Sequence, residues 1–266
     1  MELPQIGLGT WDLRGDECVK VVQLALNLGY RHIDTAHAYD NHDAIARALK
    51  GFDRSQVFIT SKLALKEQIN STNTELCVQK ACEQALNELK VDYLNLYLIH
   101  APNQSFPLEI IFQTMEKLID QGKVCKVGVS NYTIHHLEDL AAAGRCPFAN
   151  QVEFHPYLNQ QSLLDYCRIH HIKLISFRPF GKGKLLHASS VFKAIGTKYN
   201  KNEAQVILQW MIRKGIAVIP KASTESHLRE NLDVFNFSLD HEDMLELDRL
   251  HQNKRYCRSE DPEYNY

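Results

Sequence analysis

Four ionisable side chains stand at or just beyond the ends of short β-branched runs. Asp34 sits in His32-Ile33-Asp34-Thr35-Ala36, Tyr39 follows five positions later, Lys62 closes Phe58-Ile59-Thr60-Ser61-Lys62, and His100 closes Tyr97-Leu98-Ile99-His100. A carboxylate, a phenol, an ammonium and an imidazole can together donate, accept and stabilise protons. Each alone has an ordinary explanation: a turn cap, a partly buried aromatic, a solvated strand end, a satisfied histidine. Their meaning depends on whether one framework brings three strand ends to a point.

The chain supplies a candidate framework. Short β-branched runs alternate with longer amphipathic segments, as in repeated βα units around a parallel sheet. Eight strands are predicted, at 6–10, 31–35, 57–63, 93–100, 126–130, 150–153, 173–177 and 217–220. Apolar spacings of three and four predict helices at 16–28, 74–89, 108–121, 134–143 and 203–213, with another at 240–251. Thr74-Glu75 and Ser226-His227 suit helix openings, while Gly29, Gly122, Gly144 and Gly215 sit where helices should stop. The stretch 253–266 is polar, aromatic and aperiodic, and reads as an ordered or flexible tail. A doubly wound open sheet would alternate in the same way. The only early glycine pair, in Gly7-Leu8-Gly9-Thr10-Trp11, lacks a third glycine and leads into no immediate helix, which favours a barrel. The fold class is therefore α/β, a single-domain (β/α)8 TIM barrel over 1–266. In that fold functional groups come from the C-terminal strand ends, where all four ionisable residues lie.

Size and charge agree. The 266 residues match the about 250 typical of such a barrel. A net charge of −2 with interspersed signs offers no field for nucleic acid or anionic lipid, leaving a small molecule as the expected partner. The seven cysteines are scattered, odd in number and form no C-x-x-C pair, so they read as reduced thiols of a cytoplasmic protein. No basic leader precedes the first apolar run, and no apolar run reaches the about 18 residues of a membrane span. No metal-binding spacing is seen: His135-His136 and His170-His171 are adjacent pairs that face different ways.

Taken in order, Gly7-Leu8-Gly9-Thr10-Trp11, Gly29-Tyr30-Arg31-His32-Ile33-Asp34-Thr35-Ala36, Tyr39-Asp40-Asn41, Ser61-Lys62, Leu98-Ile99-His100, Gly128-Val129-Ser130-Asn131, Asn150-Gln151-Val152-Glu153 and Ile219-Pro220-Lys221 resemble the signatures of the aldo-keto reductases. The resemblance runs from Gly7 to about Asn231. The compact length, the short connection from His100 to Leu108 and the charged tail are most similar to the short bacterial group that includes 2,5-diketo-D-gluconate reductase B. The resemblance implies that Tyr39 is the general acid for carbonyl reduction, supported by Lys62 and Asp34, and that His100 orients the substrate oxygen. A free tyrosine has a pKa of about 10, and a nearby ammonium stabilises its phenolate.

It also implies a nicotinamide cofactor. Ser130, Asn131 and Gln151 match positions that bind the carboxamide, and Phe177 stands where a tyrosine usually stacks on the ring. Arg178 replaces a commonly small residue, and Gly181-Lys182-Gly183-Lys184 beyond it reads equally as a pyrophosphate loop or a surface turn. Lys221, Ser223, Thr224, His227, Glu230 and Asn231 match the adenosine end. Ala222 replaces a typical serine and His227 an arginine that pairs with the 2′-phosphate, but Lys221 and Ser223 suit a phosphate, which ranks NADPH first and NADH second. Trp11 matches a pocket tryptophan, whereas Ala101 stands where a second one often sits. An open cleft for small aldehydes, α-dicarbonyls and diketo sugar acids is expected, in a monomer. Two alternatives remain at this point: a weakly catalytic, nicotinamide-binding regulatory barrel, and a metal-assisted hydrolase or isomerase using His100, His155 or clustered carboxylates.

Overall fold

The computed structural model describes residues 1–64, 73–103, 106–257 and 260–265. Eight parallel strands pair in chain order: β1 Leu8–Gly9, β2 His32–Asp34, β3 Phe58–Leu63, β4 Leu96–Ile99, β5 Val127–Ser130, β6 Ala149–Glu153, β7 Lys173–Phe177 and β8 Ala217–Val218. The last strand then meets the first. The Gly7 N–H donates to the Val218 carbonyl at 2.8 Å, and the Gly9 N–H to Pro220 at 3.1 Å. Only glycine permits this approach, because a Cβ on Gly9 would stand 2.7 Å from the Ile219 carbonyl oxygen. The closed sheet is the (β/α)8 barrel that the alternation predicts.

The α-helices are α1 Gly15–Leu28, α2 His42–Ala48, α3 Thr74–Leu89, α4 Leu108–Asp120, α5 Ile134–Ala142, α6 Gln161–Ile169, α7 Ser190–Tyr199, α8 Glu203–Arg213, α9 Glu225–Leu232 and α10 His241–Asp248. The α3 and α8 bounds coincide with the periodicity. α2 escapes it, since seven residues hold less than two turns of pattern. α9 opens on Thr224, whose hydroxyl accepts from the His227 N–H, rather than on Ser226-His227. The expected glycine stops all take positive φ, with Gly29 at 106° as the cap of α1. Residues 104 and 105 of the short connection after His100, and 258, 259 and 266 of the tail, lie outside the described residues.

Strand parity decides which side chains enter the barrel, because alternate residues face opposite sides of a sheet. Phe58, Leu96, Leu98, Ala149, Ile175, Ala217 and Ile219 form the inner core. Ile33, Ile59, Leu63, Tyr97, Ile99, Val127, Val129 and Leu174 belong to the outer layer packed under the helices. Counting by twos from the inner set carries the axis through Lys62 on β3, His100 beyond β4, Gln151 on β6 and Phe177 on β7. Asp34 lies on the same side as His32, since Ile33 between them faces out.

His32 packs edge-on against Phe58 in the lower barrel, with Nε2 2.9 Å from the Thr60 hydroxyl. Burial drives its pKa from the usual 6.5 down to about 3, and the Lys62 charge adds to the effect. Between those pH values the unfolded chain takes up a proton that the native state refuses, so stability is full above pH 6.5 and falls as pH drops toward 3. Urea unfolding across this range is expected to show that His32→Gln shallows the acid limb by up to about 1.4 kcal/mol per pH unit. Equal slopes for the two proteins would remove His32 as a source of acid sensitivity.

Candidate active site

Lys62 is 1% exposed, yet its ammonium is well satisfied. Nζ donates to Asp34 Oδ1 at 2.6 Å, to the Thr35 carbonyl at 2.9 Å and to the Tyr39 hydroxyl at 3.4 Å. Gln151 Nε2 donates to the other Asp34 oxygen at 2.6 Å. Tyr39 reaches this point on a single 3-10 turn, His37–Tyr39, anchored by Asn41, which donates to the Thr10 and Leu13 carbonyls and accepts from the Thr35 hydroxyl. The His100 ring meets that of Tyr39 edge-on at 5.7 Å.

The electrostatics follow from this packing. Burial pushes the Tyr39 hydroxyl above its ordinary range, while Lys62 beside it pulls the other way. Burial is the largest influence on the Lys62 ammonium and disfavours it, but the charges of Asp34 and Tyr39 and the hydrogen bonds to both together hold the group above its ordinary value. Asp34 is raised by burial against the opposing pull of Lys62 and Gln151. At neutral pH the arrangement is a protonated phenol touching a buried ammonium, so a phenolate formed there would be stabilised at once.

Above these groups opens a cleft of about 610 Å³. Of the residues singled out in the sequence, Trp11, Asp34, Tyr39, His100, Ser130, Asn131, Gln151, Phe177, Arg178, Lys221, His227, Glu230 and Asn231 line it. Lys62 lies beneath. Ser223 and Thr224 do not line the cleft: Ser223 is exposed in the segment before α9, and Thr224, whose hydroxyl accepts from the His227 N–H, caps that helix. Ala101, half-buried just after His100, does not line it either. Lys182 and Gly183 do, which brings the glycine-rich loop to the site.

The polar wall is largely engaged within the protein. Ser130 donates to the Gln151 carbonyl at 2.8 Å, and Asn131 Nδ2 donates to the His100 carbonyl at 2.9 Å. The Gln151 Oε1 atom accepts no hydrogen bond among the described residues. Arg178, Lys182 and Lys221 gather over the Trp11 ring at 5.1, 4.9 and 5.9 Å, making one end of the cleft cationic.

Sequence reasoning missed the role of the C-terminal segment. Glu153, fully buried at the end of β6, accepts the backbone N–H groups of Tyr256 and Cys257 at 2.8 and 2.9 Å and lies 3.1 Å from His155 Nε2. Arg178 donates to the Tyr256 carbonyl, the Tyr264 hydroxyl donates to Asn131 Oδ1 at 2.8 Å, and Cys257 lines the cleft. The aperiodic tail carries no pattern that points to this contact. The signal was a carboxylate placed where strand parity points it into the barrel.

A closed parallel barrel with a tyrosine, lysine, aspartate and histidine at its C-terminal rim defines the class: an α/β barrel enzyme whose site is equipped to move a proton. The pattern of the Aldo/keto reductase family matches residues 5–252. Glyoxal reductase of Bacillus subtilis (strain 168) is 40% identical over 259 residues, covering 96% of this chain and 91% of that protein. Methylglyoxal reductase DkgA of Escherichia coli (strain K12) is 35% identical over 258 residues, covering 95% and 91%. The crystal structure of MGS-M4, an aldo-keto reductase from a Medee basin deep-sea metagenome library, superimposes with a TM-score of 0.90 at 35% identity, covering 96% of this chain and 93% of that one. The chain belongs to the aldo/keto reductase family, and is an oxidoreductase acting on carbonyl groups.

The Glu153 anchor makes a testable demand. Glu153→Ala leaves two tail N–H groups and His155 without their acceptor, at an expected cost of about 3 kcal/mol in urea unfolding. Limited proteolysis should then cut the tail before the barrel. A tail that stays protected would show that its side-chain contacts suffice.

Proposed function

We propose that this protein reduces small aldehydes and α-dicarbonyls to alcohols, using NADPH in preference to NADH, with Tyr39 as proton donor. The observation that carries the reading is the Tyr39 hydroxyl on the wall of the cleft, 3.4 Å from a Lys62 ammonium that Asp34 pins in place. The residues suit a nicotinamide dinucleotide. Gln151 offers an open amide oxygen for a carboxamide, Phe177 a ring for stacking, and Arg178, Lys182 and Lys221 positive charge for phosphates. When bound, such a cofactor supplies a hydride.

The chain's own part is position and a proton. The Tyr39 O–H faces the space where a carbonyl oxygen would lie and donates to it as negative charge develops there. Lys62 then stabilises the phenolate, and Asp34 with the Thr35 carbonyl keeps Lys62 aimed. His100, edge-on to Tyr39, borders the same space and orients the oxygen.

A glyoxal reductase and a methylglyoxal reductase among the relatives support small dicarbonyl substrates. Diketo sugar acids fit as well, since the cationic end of the cleft made by Arg178, Lys182 and Lys221 can meet a substrate carboxylate as well as phosphates. The seven free thiols suit a reducing, cytoplasmic setting, and the protein is read as a monomer.

Loss of NADPH absorbance, and separately of NADH, with methylglyoxal, an aromatic aldehyde and a diketo acid tests the proposal. Turnover is expected with at least one of them. Cofactor binding without any turnover would instead favour the regulatory barrel. Tyr39→Phe is expected to lower turnover about 10²- to 10⁴-fold with cofactor binding retained, and unchanged turnover would remove Tyr39 from its role. His227→Arg should raise the NADPH over NADH preference by about tenfold, the equivalent of one added charged contact. A ratio that does not move would place the 2′-phosphate away from α9.

A further inference from the structure

On the outer wall of the barrel, behind the turn that carries Tyr39, three ligand-type atoms converge. His37 opens that turn, His42 opens α2, and Glu88 comes from the last turn of α3. His42 Nδ1 lies 2.9 Å and His37 Nδ1 3.8 Å from the same carboxylate oxygen, Glu88 Oε2. One ligand atom from each of the three residues lies within 4.8 Å of the other two. Zinc bonds of about 2.0–2.1 Å in tetrahedral geometry put ligand atoms roughly 3.4 Å apart. Side-chain shifts of about an ångström would therefore complete the arrangement, and His37 and Glu88, with side chains 25% and 37% exposed, have room to make them.

Two further features fit a cation. His37 Nδ1 is a buried nitrogen that makes no hydrogen bond, although it faces the shared carboxylate. The second ring nitrogen of His42, Nε2, is 3.1 Å from the Ser61 hydroxyl, an outer partner of the kind that fixes the tautomer and orientation of a metal-bound histidine. The other Glu88 oxygen accepts from Gln84 at 2.7 Å, which orients the carboxylate in the same way. Strand parity keeps this cluster apart from the cleft, since Ser61 faces outward between the inward Thr60 and Lys62.

We propose that His37, His42 and Glu88 form a site for one divalent transition cation of the zinc class, with water completing its coordination. The sequence hides such a site, because its ligands come from a turn, a short helix and a distant helix end. Occupancy would tie α2 and α3 to the turn that ends at Tyr39, which places the cation where it can stiffen the proton donor's support.

Chelator-treated, full-length protein titrated with Zn²⁺ against a chromophoric chelator tests the proposal, with Co²⁺ absorption as a second readout. The expected result is one equivalent bound at this site, a raised thermal midpoint, and affinity weakened at least about tenfold in both Glu88→Gln and His37→Ala. Both positions are partly exposed, and far-ultraviolet circular dichroism verifies that the variants fold. The bound Co²⁺ should show the ligand-field bands of nitrogen and oxygen donors. A sulfur-to-metal charge-transfer band would assign the ion to a cysteine, and that result, affinity unchanged in both variants, or no binding at all would overturn the site.

Discussion

The ion pair between Lys62 and Asp34 is the constraint around which the rest of the site is organised. Both side chains are buried, and removing two charges from water costs several kcal/mol per ion unless attraction and hydrogen bonds offset it. The structure meets that demand with a 2.6 Å contact, the Thr35 carbonyl on the lysine and the Gln151 amide on the aspartate. Asp34, the Thr35 carbonyl and Lys62 come from the adjacent strands β2 and β3, whereas Gln151 reaches Asp34 from β6, so the second carboxylate oxygen is satisfied only when these strands share one barrel. The chemistry and the fold thus rest on the same contact, and Tyr39 borrows the electrostatic field that the pair maintains.

Asn41 shows how the borrowed field is aimed. It ties the Tyr39 turn to the Thr10 and Leu13 carbonyls after β1 and to the Thr35 hydroxyl after β2, so the backbone that carries the phenol cannot shift without straining three contacts. The far side of the cleft is held differently. There Glu153 and Arg178 seize the backbone of Tyr256 and Cys257, and Tyr264 reaches Asn131, so the last residues of the chain complete a wall begun by strands β5 to β7. One side of the site is therefore built into the barrel, whereas the other depends on a segment with no regular structure between 249 and 257.

Much of this was legible in advance. Periodicities of two and of three to four mark long elements well, which is why α3 and α8 fell on their predicted bounds, and motif order placed Asp34, Tyr39, Lys62 and His100 on one rim. Short elements were not legible. α2 shows too few turns for a pattern, and β8 covers only Ala217–Val218, although the Ile219 N–H and the Pro220 carbonyl still bond to β7 and β1. Ser223 and Thr224 matched in sequence but stand off the lining, since both are exposed where the chain enters α9 and Thr224 is its N-cap.

The sequence by itself determined the α/β alternation, the family, and the residue types at the strand ends, because these are properties of neighbouring residues and of short motifs read along the chain. Only the tertiary structure decided that Gln151 engages Asp34, that Glu153 grips the tail and that His37, His42 and Glu88 face one another. Each of these meetings joins residues tens of positions apart or more, or fixes how close turn residues are oriented. Their distances are set by barrel closure and helix packing, and no local periodicity carries that information.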